Sequence, residues 1–195
     1  MESILVIDNY DSFTFNLVHM LRELSAEDIT VWRNDKFAVE DVARFSKIVL
    51  SPGPGLPQEA GKMPELIARF AAEKQILGVC LGHQAIAEYC GATLKNLSRV
   101  FHGVQSDIII KDSSDYLFSG LKSSFKAGRY HSWSVSRDNI PDQLIVTAED
   151  SDGEIMAIRH KEFNLRGIQF HPESVMTPCG KDIISNWLNS SSMEI

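Results

Sequence analysis

The sequence predicts an α/β fold in which a parallel sheet is covered by helices on both faces. Three observations predict it. Short runs that are apolar throughout, such as Ile4–Ile7 and Ile48–Leu50, alternate with segments of helical periodicity in the first half of the chain. Strands of that composition, without an apolar-polar alternation, belong to sheets buried on both sides. After Gly91 the rhythm changes to successive strand-like runs with short turns, which predicts antiparallel strands added in the C-terminal half.

In chain order, Ser3–Ile7 reads as a buried strand. Phe13–Leu24 reads as a helix with an apolar stripe at 13, 17, 18, 21 and 24, preceded by Asp11 and Ser12 as cap candidates. Asp28–Trp32 is a strand, Val39–Phe45 a short helix and Lys47–Ser51 a third strand. Pro64–Glu73 is helical, Gln75–Cys80 a strand, and Gly82–Cys90 a helix closed by Gly91. Then come the strands Gly103–Ile110, Ser124–Arg129, Gln143–Ala148, Glu154–His160 and Arg166–Phe170, with turn signals at 138–141 and 150–153. Lys181–Asn189 is a last amphipathic helix, with Ile183, Ile184, Trp187 and Leu188 on one face, and the tail from Ser190 is expected to fray. No linker or repeat interrupts the pattern, so residues 1–195 are expected to form one domain.

Composition narrows the function. With 19 basic and 26 acidic side chains the net charge is −7, which disfavours nucleic acid and anionic membrane surfaces as partners. No apolar run reaches the ~18 residues of a membrane span. The N-terminus lacks a basic region or cleavage site, which predicts no leader and a cytoplasmic setting. Three cysteines are too few and too odd for a disulfide framework.

One of those cysteines stands apart. Gly78-Val79-Cys80-Leu81-Gly82 falls where a strand ends and a helix begins, a corner at which small flanking residues permit a sharp turn. A thiol there meets the positive end of the helix dipole, and the Leu81 amide points into the same space as an oxyanion donor. Free cysteines are often simply buried, and that reading is kept for Cys90 and Cys179.

A thiol nucleophile needs a base. His171 ends an apolar strand and is followed by Pro172 and Glu173, so His171 and Glu173, two apart on extended backbone, are expected to face the same side as base and orienting carboxylate. A solvated turn is the alternative for that tripeptide alone. No companion histidine or cysteine at ligand spacing points to a metal, and no cofactor is expected. His19, His83 and His160 have no assigned partner, while His102 and His131 sit in loops where ligands are often met.

Ser51-Pro52-Gly53-Pro54-Gly55-Leu56-Pro57 follows the third strand and is not a phosphate loop, since no Gly-Lys-Ser/Thr follows it. Its prolines stiffen the chain and leave amides on Gly53, Gly55 and Leu56 alone, which suits an oxyanion donor; Gly55 is the expected partner of Leu81. A rigid structural turn is the competing reading.

Together, Ser51–Pro57, Gly78-Val79-Cys80-Leu81-Gly82-His83-Gln84 and Gln169-Phe170-His171-Pro172-Glu173-Ser174 resemble the class I glutamine amidotransferase family. Asp8–Leu17 and Arg129-Tyr130-His131-Ser132 resemble one branch of it, the small subunits (component II) of anthranilate synthase and aminodeoxychorismate synthase. The resemblance runs from Ile4 to Trp187. It implies a flavodoxin-like three-layer fold with a mixed central sheet. It implies a Cys80–His171–Glu173 triad that forms a glutamyl thioester, hydrolyses L-glutamine and passes ammonia to a large synthase subunit (component I) that binds chorismate. Gly53, Pro54, Gly55, Leu81, Gln84, Ser132 and Trp133 correspond to positions that hold glutamine or its oxyanion. Trp133 replaces the aliphatic residue expected there, so the resemblance carries over its backbone and not its side chain. Independently, Gln84 lies about one helical turn past Cys80, and its amide can both donate to and accept from a zwitterionic substrate.

The resemblance implies an anthranilate-forming partner in tryptophan biosynthesis, with aminodeoxychorismate in folate biosynthesis, or both, as the alternative. A γ-glutamyl hydrolase or cysteine peptidase, a catalytically silent regulatory subunit and a nucleotide-binding module are the competing readings. Residues 9–14, at the end of the first strand, are expected to join the partner interface.

Overall fold

In the computed structural model, which describes residues 3–25 and 27–190, the side chains of β1 (Ser3–Asp8) alternate between two cores. Ile4 and Val6 face α1 (Thr14–Leu24) and α4 (Gly180–Asn189), meeting Leu17, Leu21, Ile184 and Trp187. Leu5 and Ile7 face α2 (Met63–Phe70) and α3 (Leu81–Tyr89), meeting Leu66, Ile67 and Ile86. The sheet is therefore the middle of three layers, which is why its strands carry no polar alternation. Four of the six residues of β1 are Ile, Leu or Val at 0% exposure.

β2 (Asp28–Arg33), β1, β3 (Lys47–Leu50), β4 (Gln75–Val79) and β11 (Leu165–Ile168) lie side by side and parallel. Beyond β11 the sheet continues antiparallel through β10 (Ile155–His160), β9 (Leu144–Asp150), β6 (Val104–Ile110) and β7 (Ser124–Arg129). The mixed sheet is thus as expected. One placement differs: the last strand joins the parallel half as well, because β11 pairs antiparallel with β10 on one side and parallel with β4 on the other.

Other departures are local. Val39–Arg44 is a 3-10 helix and not an α-helix, closed by Phe45 N–H on the Val42 carbonyl. Six residues give too few i→i+4 bonds to repay α-helix nucleation. β5 (Leu94–Asn96) and β8 (Trp133–Val135) form a small second sheet of three-residue strands, too short for periodicity to reveal. At α1 the N-cap is Phe13, without a side-chain cap. Asp11 instead accepts from the Phe13 N–H at 2.7 Å, in a local turn, and Ser12 makes no cap. Of the tail expected to fray, residues 191–195 lie outside those described. Ser190 is not frayed: it is buried, and its Oγ donates to Trp187 O at 2.9 Å and accepts from Gln75 Nε2 at 2.8 Å. The C-terminal carbonyls of α4 are met by buried side chains from the foot of the sheet: Lys47 Nζ on Leu188 O at 2.7 Å and Gln75 Nε2 on Trp187 O at 2.6 Å.

The carboxyl ends of β1, β3, β4 and β11 share one rim. Asn9, Ser51–Pro57, Cys80 and Gln169–Glu173 all leave the sheet there, where open α/β sheets bind ligands.

Candidate active site

Cys80 occupies a left-handed backbone conformation, φ 53° and ψ −100°, between β4 and α3. Such strain in a non-glycine residue persists only where the surroundings impose it. Gly78 and Gly82 impose it. A Cβ on Gly78 would stand 2.3 Å from the Gly82 backbone, and one on Gly82 would stand 2.5 Å from Leu50 O. The helix therefore begins in direct contact with β3 and β4, and the chain must reverse within one residue. Cys80 is 6% exposed and heads the helix, with the Leu81 amide in the first turn.

His171 arrives from β11. Its ring Nδ1 lies 2.6 Å from Glu173 Oε1, and both side chains are buried, at 2% and 0% exposure. The pairing is as expected but the backbone reason differs. Ser174 N–H closes on the His171 carbonyl at 3.3 Å, so residues 171–174 form a turn with Pro172 at its second position. The turn, and not an extended strand, folds the carboxylate back onto the ring. Thr177 Oγ1 donates to His171 O at 2.6 Å and accepts from Gly128 N–H at 3.0 Å, while His171 N–H donates to Gly128 O at 3.0 Å. The rings of Phe13 and Tyr130 stand 5.1 and 4.9 Å from the imidazole. Nε2, buried and without a protein hydrogen bond among the described residues, is the ring atom left for the thiol. Burial opposes protonation, but the Cys80 sulfur and the Glu173 carboxylate outweigh it and raise His171 from 6.5 to about 10.

A cavity of about 200 Å³ opens above the sulfur. That is below the ~300–1,000 Å³ of drug-sized sites and suits a ligand of amino-acid size. Gly53, Pro54, Gly55, Gln84, Ser132 and Trp133 line it. Leu81 does not line it; its side chain lies in the core at 2% exposure, and its backbone alone can serve the site. His171 and Glu173 sit behind the cavity wall. In the Pro-Gly loop the Leu56 amide is already taken, donating to Glu59 Oε2 at 3.0 Å. The Gly53 and Gly55 amides carry no such bond among the described residues.

His102 and His131, the two loop histidines, do reach the cavity, where they form one wall with Tyr130. Other participants were not singled out from the sequence: Val100 and Phe101 complete that wall. Gln169 Nε2 lies 3.5 Å from Cys80 Sγ and its Oε1 accepts from Gln84 Nε2 at 3.1 Å. The two-residue spacing applied to Glu173 would equally have placed Gln169 on the side of His171. Asn9 is buried and belongs to the site's frame: its N–H donates to Ser51 Oγ at 2.9 Å and its Nδ2 to Ser51 O at 2.8 Å. Of the segment expected at an interface, Tyr10 is exposed, as is the nearby Phe15.

Of the other cysteines, the buried reading holds for Cys90 and not for Cys179, which is part-exposed at the head of α4. His19 is exposed and pairs with Glu23 at 3.2 Å. His160 stacks on Phe163 and accepts from two loop amides. Burial holds His83 down at about 4. Burial, then the neighbouring Arg129, hold His131 at about 3. Cys90 is buried and pushed up to about 12 by burial, which suits an inert thiol. Among the described residues no group of three or more His, Cys, Asp or Glu could hold a metal.

A strained cysteine at a strand-helix corner, beside a carboxylate-bound imidazole and an amide-rich loop, has the groups that thiol-dependent acyl transfer requires. The chain belongs to the family described as glutamine amidotransferase class-I, which it matches over residues 5–190. It is 44% identical to aminodeoxychorismate/anthranilate synthase component 2 of Bacillus subtilis, over 98% of each chain. It is 46% identical to anthranilate synthase component 2 of Pseudomonas aeruginosa, over 95% of this chain and 94% of that one. It spans a third of a longer relative, the bifunctional protein TrpGD of Thermotoga maritima, at 42% identity over 100% of this chain and 33% of the other. The crystal structure of a glutamine amidotransferase from Thermotoga maritima superposes with a TM-score of 0.74 over 96% of each chain, at 15% identity, a shared fold. Among the described residues no helix is long and apolar enough to cross a membrane.

Proposed function

We propose that this chain, acting as one amidotransferase domain over residues 1–195, hydrolyses L-glutamine and delivers ammonia to a separate chorismate-using synthase subunit. The observation that carries the reading is the convergence of Cys80, the His171–Glu173 pair and the Gly53–Gly55 loop on one rim of the sheet, around a cavity of amino-acid size.

The Cys80 sulfur attacks the side-chain amide carbon of glutamine, and the oxygen that gains charge is met by the Gly55 and Leu81 amides. His171, already protonated, gives its Nε2 proton to the departing nitrogen, which leaves as ammonia and a glutamyl thioester remains. Water then attacks the thioester carbon while Nε2, now neutral, takes its proton; collapse expels the sulfur and releases glutamate. Glu173 holds Nδ1–H throughout and stabilises the imidazolium. Gln84 commits its Nε2 to protein carbonyls, which leaves Oε1 as the acceptor it offers to the substrate's ammonium.

Relatives named for component 2 support a partner synthase. The Pseudomonas relative favours an anthranilate-forming complex, and the Bacillus relative, named for both products, supports aminodeoxychorismate as the second reading. The test is Cys80→Ser assayed with the co-purified synthase. Glutamine-dependent product should fall to background while ammonia-dependent product persists. Equal loss of both would overturn the division of labour.

A further inference from the structure

Seven groups form one continuous hydrogen-bonded line from the end of β9, in the antiparallel half of the sheet, to the Cys80 sulfur. Arg129 Nη1 meets Asp150 Oδ2 at 2.5 Å, and both side chains are buried, at 1% and 2% exposure. Arg129 Nε donates to His131 Nε2 at 3.0 Å, and His131 Nδ1 meets the Trp133 carbonyl at 2.8 Å. The same carbonyl accepts from Gln84 Nε2 at 2.9 Å. Gln84 Nε2 also reaches Gln169 Oε1 at 3.1 Å, and Gln169 Nε2 reaches Cys80 Sγ at 3.5 Å.

The polarity of this line is forced by two members that can play one role each. A guanidinium only donates, so His131 Nε2 must accept; the ring is neutral with its proton on Nδ1, which donates to Trp133 O. A backbone carbonyl only accepts, so the Gln84 atom facing it must be the amide nitrogen. With that nitrogen turned toward Gln169, the Gln169 atom facing it must be the oxygen. The Gln169 nitrogen is then left for the sulfur. An amide whose two faces would otherwise be interchangeable is locked with its donor toward Cys80.

Register supplies the proximity. β4 and β11 pair Val79 with Ile168, and Cys80 N–H donates to Ile168 O at 2.8 Å, so Cys80 and Gln169 are neighbours as each strand ends. Gln169 is 0% exposed, so its amide makes this bond in a buried setting. Phe101 braces the line, with the Arg129 guanidinium 3.6 Å from its ring centroid and the His131 ring stacked at 5.5 Å.

We propose that Gln169 is a catalytic donor to the Cys80 thiolate, and that Arg129, His131 and Gln84 are positioning residues that hold its amide in the donating orientation. The proposal rests on Cys80 being the nucleophile. A bond to a charged acceptor favours the anion over the thiol, and in the thioester stage the same donor steadies the sulfur as it is expelled.

The experiment is the rate of Cys80 alkylation by iodoacetamide in the full chain at neutral pH, read by mass spectrometry, with Cys80→Ser giving the background from Cys90 and Cys179. Gln169→Glu keeps the shape and still accepts from Gln84 but turns an oxygen to the sulfur; Gln169→Leu removes the donor. Each should alkylate at least about tenfold more slowly than the native protein and lose ultraviolet thiolate absorbance. His131→Phe, which keeps the stack on Phe101 and breaks the line three links from Gln169, should slow alkylation about threefold. A folded Gln169→Glu that alkylates at the native rate overturns the proposal. In the native protein the Gln169 side-chain amide proton resonance should move when Cys80 is replaced by alanine, and an unmoved resonance overturns the proposal without relying on a Gln169 variant. A native Cys80 that alkylates no faster than Cys179 overturns the nucleophile reading instead, so the two failures are distinct.

Discussion

His171 and Glu173 meet at 2.6 Å across a single tight turn, two residues apart and both sealed from solvent. A carboxylate fixed that closely, with the sulfur beyond, is what holds a buried imidazole in its charged form against the cost of burial.

Glu173→Gln tests that relationship directly. The amide keeps the shape and loses the charge, so His171 should release its proton at lower pH. Partner-bound glutamine turnover is expected to fall about 100-fold, a smaller loss than for Cys80→Ser, with the alkaline limb of the pH–rate profile displaced to lower pH. An unchanged profile would remove the carboxylate from the mechanism.

Stability should depend on pH with opposite signs for different histidines. Burial lowers His83 from 6.5 to about 4. The unfolded chain therefore binds more protons between those values, and stability is lost as pH falls from 6.5 toward 4. His171, raised from 6.5 to about 10, contributes stability that is complete below 6.5 and is lost as pH rises toward 10. Replacing His83 with methionine should flatten the acid side of a plot of Tm against pH. The effect is about 3 kcal/mol at its largest. An equally steep acid limb in the variant would assign that slope to other groups.

Gly82→Ala should damage fold and site together. The added methyl would stand 2.5 Å from Leu50 O, against backbone that cannot yield without moving α3. We expect a loss of about 3 kcal/mol, read as a lower urea midpoint at unchanged slope. Glutamine turnover in the folded fraction should fall as well, since the same helix carries Cys80 at its head.

A second buried pair tests the anchoring of β11, where the two halves of the sheet meet. Arg166 Nε and Asp115 Oδ1 lie 3.0 Å apart at 1% and 0% exposure, with the guanidinium 4.5 Å from the Tyr116 ring centroid. Asp115→Ala strands a buried cation and should cost about 3–5 kcal/mol in urea unfolding. The double variant Arg166→Met, Asp115→Leu should recover most of that loss, because it removes both charges together. A double variant as unstable as the single one would show that the pair contributes more than mutual neutralisation.

Much of the site was legible because its chemistry sits in local motifs. The strained corner at Cys80 announces itself through two glycines and a change of period, and the His171–Glu173 pair through a proline that restricts the chain between them. Gln84 follows from one helical turn. What could not be read was anything that depends on which strands adjoin. The contact between Gln169 and Cys80 exists because β11 pairs with β4, and no local pattern distinguishes that parallel pairing from the antiparallel strands around it. The Arg129–His131–Trp133 line is hidden for the same reason: Asp150 comes from β9 and Gln84 from α3. Three-residue strands such as β5 and β8 and the 3-10 turn at Val39–Arg44 fall below the length at which periodicity speaks.

The place of β11 bears on how the molecule comes into being. It is the last strand among the described residues yet lies inside the sheet, between β4 and β10, and it leads directly into His171. During synthesis Cys80 emerges long before His171. Until the final strand slots in, both β4 and β10 present raw edges, and the protein is a set of hairpins and βα units with no hydrolytic capability. Under the proposed function, glutamine hydrolysis would be tied to completed folding: a chain stalled short of Leu165 carries Cys80 but lacks the His171–Glu173 pair.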